Sequence, residues 1–258
     1  MMKDFNISER RKLLYKRRKK RKIIFNSFCL LFLILTISTI FILWKNNNEK
    51  NTYLNKKIAT SHNKEELITV CIDPGHGDWD SGTKSTKGVL EKDIVLDISL
   101  RLGKLLEEEN INVVYTRTSD SISYLGTAND SLKERIKISE VFNADLFISI
   151  HCNSNYNSTS TRGIETWYNP DKEESLEFAT IVQENLTALN YTEDRGLKTY
   201  DNKDDALAVL ELNTANPALV ELGFLSNILD ERFLVSEQGK DKIAEALKNS
   251  VLEYIEYK

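Results

Sequence analysis

From residue 67 onward, short apolar runs alternate with amphipathic stretches of ten or more residues, and that alternation leaves few folds open. "LITVCID" (67–73), "INVVYTR" (111–117), "DLFISIH" (145–151), "GIETWYN" (163–169), "ALAVLE" (206–211) and "ALVELGF" (218–224) read as strands. After the first, helical spacing puts Ile94, Val95, Ile98, Leu102, Leu105 and Leu106 on one face. "SLKERIKISEVFNA" (131–144) reads as a second helix, with Ser131 as its cap and Glu134 three residues on. Residues 175–189 and 239–257 complete the helices. Strands joined through helices must run parallel by right-handed crossovers, with helices on both faces. The expected fold is one α/β domain over 67–258 built on a mostly parallel sheet, with no internal repeat.

The segment before it has a different solvent. Residues 1–45 carry 12 Lys and Arg against two acids, so the remainder bears about −14 although the whole chain nets −4. An acidic body argues against a nucleic-acid partner. The basic residues crowd into "RRKLLYKRRKKRK" (10–22), directly before "IIFNSFCLLFLILTISTIFILW" (23–44), which holds no charge. Its length at 1.5 Å per residue is roughly 33 Å, enough for a hydrocarbon core of about 30 Å. The expectation is a basic cytoplasmic segment (1–22), a transmembrane anchor (23–44) with Trp44 at the interface, a polar stalk (45–66) and an exported body on the cell-wall side. The flank "WKNNNEKN" lacks an Ala-x-Ala cleavage pattern, which favours an uncleaved anchor over a signal peptide. Cys29 falls in the span; Cys71 and Cys152 sit near strand ends and read as buried thiols, with a disulfide between them left open.

Only three histidines occur, and His62 lies in the stalk. The other two end apolar strands: His76 in "IDPGHGDWDSG", His151 in "FISIHCN". Functional side chains gather at the carboxyl ends of parallel strands, and two imidazoles on one rim suggest a metal. Catalytic zinc takes three protein ligands and keeps one open position. Glu91, at the start of the following helix, fits as the third ligand; Asp78 and Asp80 compete, but follow His76 so closely that solvated turn residues is the plainer reading. Strand alternation turns Cys152 away from the side of His151. Glu221, an acid within the apolar strand "ALVELGF", needs a partner or a task, and is the candidate general base.

"IDPGHGDWDSGTKSTKGVLEKD", "ADLFISIHCN" and "LVELGFLSN" together resemble the three signature segments of the zinc-dependent N-acetylmuramoyl-L-alanine amidases of bacterial cell walls, the type 3 amidase family, over about residues 67 to 256. The resemblance implies a six-stranded α/β fold, with His76, Glu91 and His151 as zinc ligands and Glu221 as the catalytic glutamate. It further implies peptidoglycan as substrate, cut between the lactyl group of N-acetylmuramic acid and L-alanine. Two departures stand out: Glu211 occupies a place where relatives commonly carry a basic residue, and Pro217 lies four rather than five positions before Glu221. "NSNYNSTSTRG" (153–163) is too short for the self-blocking helix of larger relatives, so an open site is expected. The competing readings are a zinc peptidase cutting within the stem peptide and an inactive wall-binding scaffold. No activator protein is named by these motifs.

Overall fold

The computed structural model describes residues 67–122 and 126–258, which form one compact unit. The basic segment 1–22, the expected span 23–44 and the stalk 45–66 lie outside the described residues. Among the described residues no helix is long and apolar enough to cross a membrane.

Six strands form one sheet: β1 (Thr69–Pro74), β2 (Asn112–Tyr115), β3 (Leu146–Asn153), β4 (Ile164–Tyr168), β5 (Asp194–Lys198) and β6 (Asn216–Phe224). Their order is β2-β1-β3-β6-β4-β5, and only the β4–β6 pair is antiparallel. The helices are α1 (Glu91–Glu108), α2 (Ala128–Val141), α3 (Glu173–Thr187), α4 (Ala208–Glu211), α5 (Ile228–Val235) and α6 (Glu237–Tyr257).

Alternation along the central strands divides the core. Val70, Ile72, Ile148, Ile150 and Val220 face the larger cluster, which α1 fills with Ile94, Val95, Ile98, Leu102 and Leu106. Each such side chain contributes about 1.5–3 kcal/mol on burial. Cys71, Phe147 and Leu219 face the smaller cluster with Ile136 of α2 and Val209 and Leu210 of α4. Cys152 belongs to the larger cluster and Cys71 to the smaller, so the two buried, free thiols stand on opposite faces of the sheet. The sheet is covered on both faces, as the alternation requires.

Three local expectations need correction. Helix α2 starts one turn earlier than the Ser131–Glu134 spacing suggests: Thr127 is the N-cap and Asp130 the return partner, a complete capping box. Residues 206–211 are not a strand, because α4 occupies 208–211 and turns Val209 and Leu210 inward as a single helical turn. The remaining strand is instead β5, "DRGLK", too polar to be marked by apolar patterning and held on the sheet's edge by pairing with β4 alone.

Candidate metal centre

The carboxyl ends of β1, β3 and β6 are adjacent in the sheet, and there the chain brings His76, Glu91 and His151 together. One ligand atom from each lies within 4.8 Å of the others. Glu91 Oε1 stands 3.1 Å from both His76 Nε2 and His151 Nδ1, and the two rings meet edge to face with centroids 4.8 Å apart. Glu91 is 2% exposed, an unusual position for a helix-start acid that serves only the dipole. Its carboxylate also accepts the Cys152 N–H (2.9 Å) and the Thr83 N–H (2.8 Å), which fix its orientation.

These residues fit zinc. The donor set is two imidazole nitrogens and one carboxylate oxygen, the composition of catalytic zinc sites that leave a fourth position open. His76 Nδ1 lies 2.8 Å from Asp80 Oδ2, so its second nitrogen is oriented by a carboxylate, a common arrangement around ligating histidines. Asp80 is therefore neither a ligand nor merely a solvated turn residue. Burial alone would lower the His76 pKa, but hydrogen bonds and charge from Glu91 and Asp80 outweigh it and carry the value to about 9. Burial alone would raise the Glu91 pKa, but hydrogen bonds and charge from His151 and His76 outweigh it and hold the carboxyl well below the usual carboxylate range. A cation bound by these three residues would compete with a proton for the cradle.

The turn carrying His76 is held from below. His76 adopts φ 59°, and Asp78 φ 55°, conformations that cost a non-glycine residue about 1–2 kcal/mol. Buried Arg135 donates to the Pro74 carbonyl (2.9 Å) and the His76 carbonyl (2.5 Å). Buried Arg117 donates to Pro74 O (3.0 Å) and Gly75 O (2.7 Å). Arg135 also pairs with Asp73 Oδ1 at 2.5 Å, and Asp73 accepts from Thr116 Oγ1 (2.6 Å) and Ser149 Oγ (2.7 Å). So His76 is held by the protein's own groups before any ion arrives. Sequence reading missed this layer, although Arg135 and Ser139, four apart, share the buried stripe of α2.

Two glycines leave room for the rings. A Cβ on Gly75 would stand 2.4 Å from His151 Cε1, and one on Gly82 (φ 63°) 2.4 Å from Glu91 Oε2 and 2.6 Å from His76 Cδ2. Gly82→Ala adds backbone strain to a displaced carboxylate. We expect it to weaken zinc binding about 10- to 100-fold in competition with a chelating dye, while the far-ultraviolet circular dichroism stays that of the wild type.

Glu221 lies beside this cradle. It is the register partner of His151 on β3 and of Glu165 on β4, so all three side chains share one face of the sheet. Its Oε2 is buried without a hydrogen-bond partner. Burial, opposed by His151 and reinforced by Glu91 and Glu165, pushes its pKa from 4.5 to about 7. Glu165 escaped sequence reading; Arg195 Nε (2.8 Å) and Asn153 Nδ2 (3.0 Å) tie it down.

A cavity of about 420 Å³ runs from His76 and His151 under α2, walled by Leu132, Ala206, Leu207, Val209 and Leu219. No helix occurs between β3 and β4 to cover it; residues 154–163 are turns and irregular backbone. Glu211 accepts from Tyr200 Oη (2.9 Å) and pairs with Lys203 (2.8 Å), which hold its charge in place.

Comparison with known proteins adds the lineage. A family model described as N-acetylmuramoyl-L-alanine amidase matches residues 70–253. The chain is 36% identical over 188 residues to the N-acetylmuramoyl-L-alanine amidase LytC of Bacillus subtilis, a match covering 72% of this chain and 35% of LytC. Among solved structures, the N-acetylmuramoyl-L-alanine amidase of Clostridium difficile 630 superposes with a TM-score of 0.67 at 34% identity, covering 75% of this chain and 100% of that one. The CwlD amidase of Clostridioides difficile, solved in complex with the GerS lipoprotein, gives a TM-score of 0.66 at 31% identity, with 74% and 100% covered.

Proposed function

The chain belongs to the type 3 family of N-acetylmuramoyl-L-alanine amidases, and from that premise we propose that it hydrolyses the amide joining N-acetylmuramic acid to L-alanine in peptidoglycan. The observation that carries the reading is the convergence of His76, Glu91 and His151 beside Glu221, whose pKa burial raises to about 7, at one end of an open cleft. His76, Glu91 and His151 would hold zinc. A zinc ion there supplies Lewis acidity, polarising an amide carbonyl and acidifying water. Glu221 takes the proton released as water attacks and delivers it to the nitrogen of the departing L-alanine. A carboxyl near pH 7 can do both, since it neither holds nor surrenders the proton too tightly. The cleft under α2, with Leu132 and Leu219 among its walls, would take the peptide.

Residues 23–44 would anchor the enzyme with the domain on the wall side. The GerS complex of CwlD supports a search for a protein partner of this chain as well. The test is made on the full-length protein with purified peptidoglycan. We expect about one zinc per chain, and new L-alanine N-termini with the stem peptide otherwise intact. Shortened peptides would instead identify a stem-peptide peptidase, and absence of zinc would favour the wall-binding scaffold.

A further inference from the structure

A bond that joins a sugar to a peptide must lie across the metal cradle, with one subsite on each side. The cleft supplies one side: it lies on the α2 face of the sheet, where Leu132, Val209 and Leu219 stand beside the polar Asn129, Ser131 and Arg135. The loop that leads into α1 also borders the cradle, where Thr83 donates its N–H to Glu91 Oε2 at 2.8 Å. Tyr156 reaches that loop from the segment following β3. Its hydroxyl lies 2.7 Å from Thr83 Oγ1 and accepts the Lys84 N–H at 3.2 Å. Yet the residue is 71% exposed, the most exposed of the large apolar side chains described.

That combination is unusual. A tyrosine that served only to tie two loops would bury its ring, because the ring carries most of its hydrophobic contribution. Here the polar tip is engaged and the apolar face is bare. The backbone is fixed as well: the Asn155 N–H donates to Ser226 Oγ (2.9 Å), and Asn155 Oδ1 accepts the Asn157 N–H (3.1 Å). An aromatic face held rigid in water costs little further entropy when a ligand settles on it. The ligand that matches is amphipathic and flat, with an apolar C–H face for the ring and hydroxyls left in water. A pyranose has that chemistry. The ring is tied to the loop whose Thr83 N–H holds Glu91, so a sugar settled on it would lie next to the cradle.

We propose that Tyr156 is the glycan-side platform of the site, a specificity residue that stacks against a sugar of the peptidoglycan strand. The proposal rests on the amidase reading for the identity of the sugar. Full-length protein stripped of metal is titrated with a peptide-free oligosaccharide of alternating N-acetylglucosamine and N-acetylmuramic acid, and separately with the free stem peptide. Tyr156→Ala should weaken the oligosaccharide about tenfold and leave the peptide within about twofold. Tyr156→Phe keeps the ring and loses only the hydroxyl tie, so it should hold the oligosaccharide within about twofold of wild type. In the metal-loaded enzyme, Tyr156→Ala should raise KM about tenfold with little change in kcat. Equal loss in Tyr156→Phe and Tyr156→Ala would make the residue a loop tie and overturn the proposal. So would an oligosaccharide affinity indifferent to Tyr156→Ala, or no oligosaccharide binding by the wild type. If the wild type releases no L-alanine N-termini but its oligosaccharide binding still depends on the ring, the amidase reading fails and the platform stands.

Discussion

Glu221→Gln should lower kcat about 10³-fold while leaving zinc content and KM close to wild type. The substitution preserves shape and removes only the ability to take a proton. Its effect on stability has the opposite sign. Glu221 has a folded pKa near 7, raised from 4.5 chiefly by burial, so the folded state favours the protonated form. Such a group costs stability as pH rises from about 4.5 through 7, where the unfolded chain would already be ionised. The glutamine carries no such cost, and the metal-free variant should melt higher than wild type at pH 8 and no higher at pH 4. Activity lost together with stability gained is the signature of a group kept for chemistry. A variant that lost activity by melting lower would mark Glu221 as structural. The acid limb of kcat/KM should lie at or below pH 7, because filling the cradle with a cation favours the ionised carboxylate. Glu165→Gln removes a neighbouring negative charge and should move that limb further down.

The frame and the cradle were legible in the sequence for the same reason. Buried parallel strands are runs of apolar residues, so a polar residue ending one, such as His76 or His151, stands out against its own strand. Glu221 showed by the same contrast within "ALVELGF". What could not be read is whatever depends on side chains meeting across distant segments. β5 is polar because an edge strand packs little apolar surface, and only its pairing with β4 makes it a strand. Residues 206–211 are apolar enough for a strand, yet six residues suit one buried helical turn equally well. Asp80 looked like any turn aspartate until the left-handed backbone at His76 folded the imidazole back onto it. Glu165 and Tyr156 gave no local signal, since the first owes its importance to a register and the second to a loop 73 residues away.

Arg135 shows how much the cradle owes to that hidden layer, and Arg135→Leu should destabilise the protein by about 3–5 kcal/mol. The substitution leaves Asp73, which is 1% exposed, as a buried carboxylate without its cation, and takes donors from the carbonyls of Pro74 and His76. At about 2–4 °C per kcal/mol for a domain of this size, the melting temperature should fall on the order of 10 °C. The pH dependence identifies the cause. Burial alone would raise the Asp73 pKa, but Arg135, Thr116 and Ser149 outweigh it and hold the carboxyl below its ordinary value of 3.8. In wild type it therefore contributes stability that is complete above about pH 4 and lost as pH falls through the lower folded value. In the leucine variant the charge is unpaired, the folded pKa rises, and protonation becomes favourable to folding. The stability gap between the two proteins should accordingly be widest at pH 7 and narrow toward pH 4. Asp73→Asn added to Arg135→Leu should recover part of the loss at pH 7, because removing both charges leaves none stranded. Zinc affinity should not return with it: the His76 carbonyl still lacks its donor, and the left-handed turn that aims Nε2 at Glu91 has lost a restraint. Recovery of stability without recovery of metal binding would separate the two tasks of this arginine, and recovery of both would show that only Asp73 needed it.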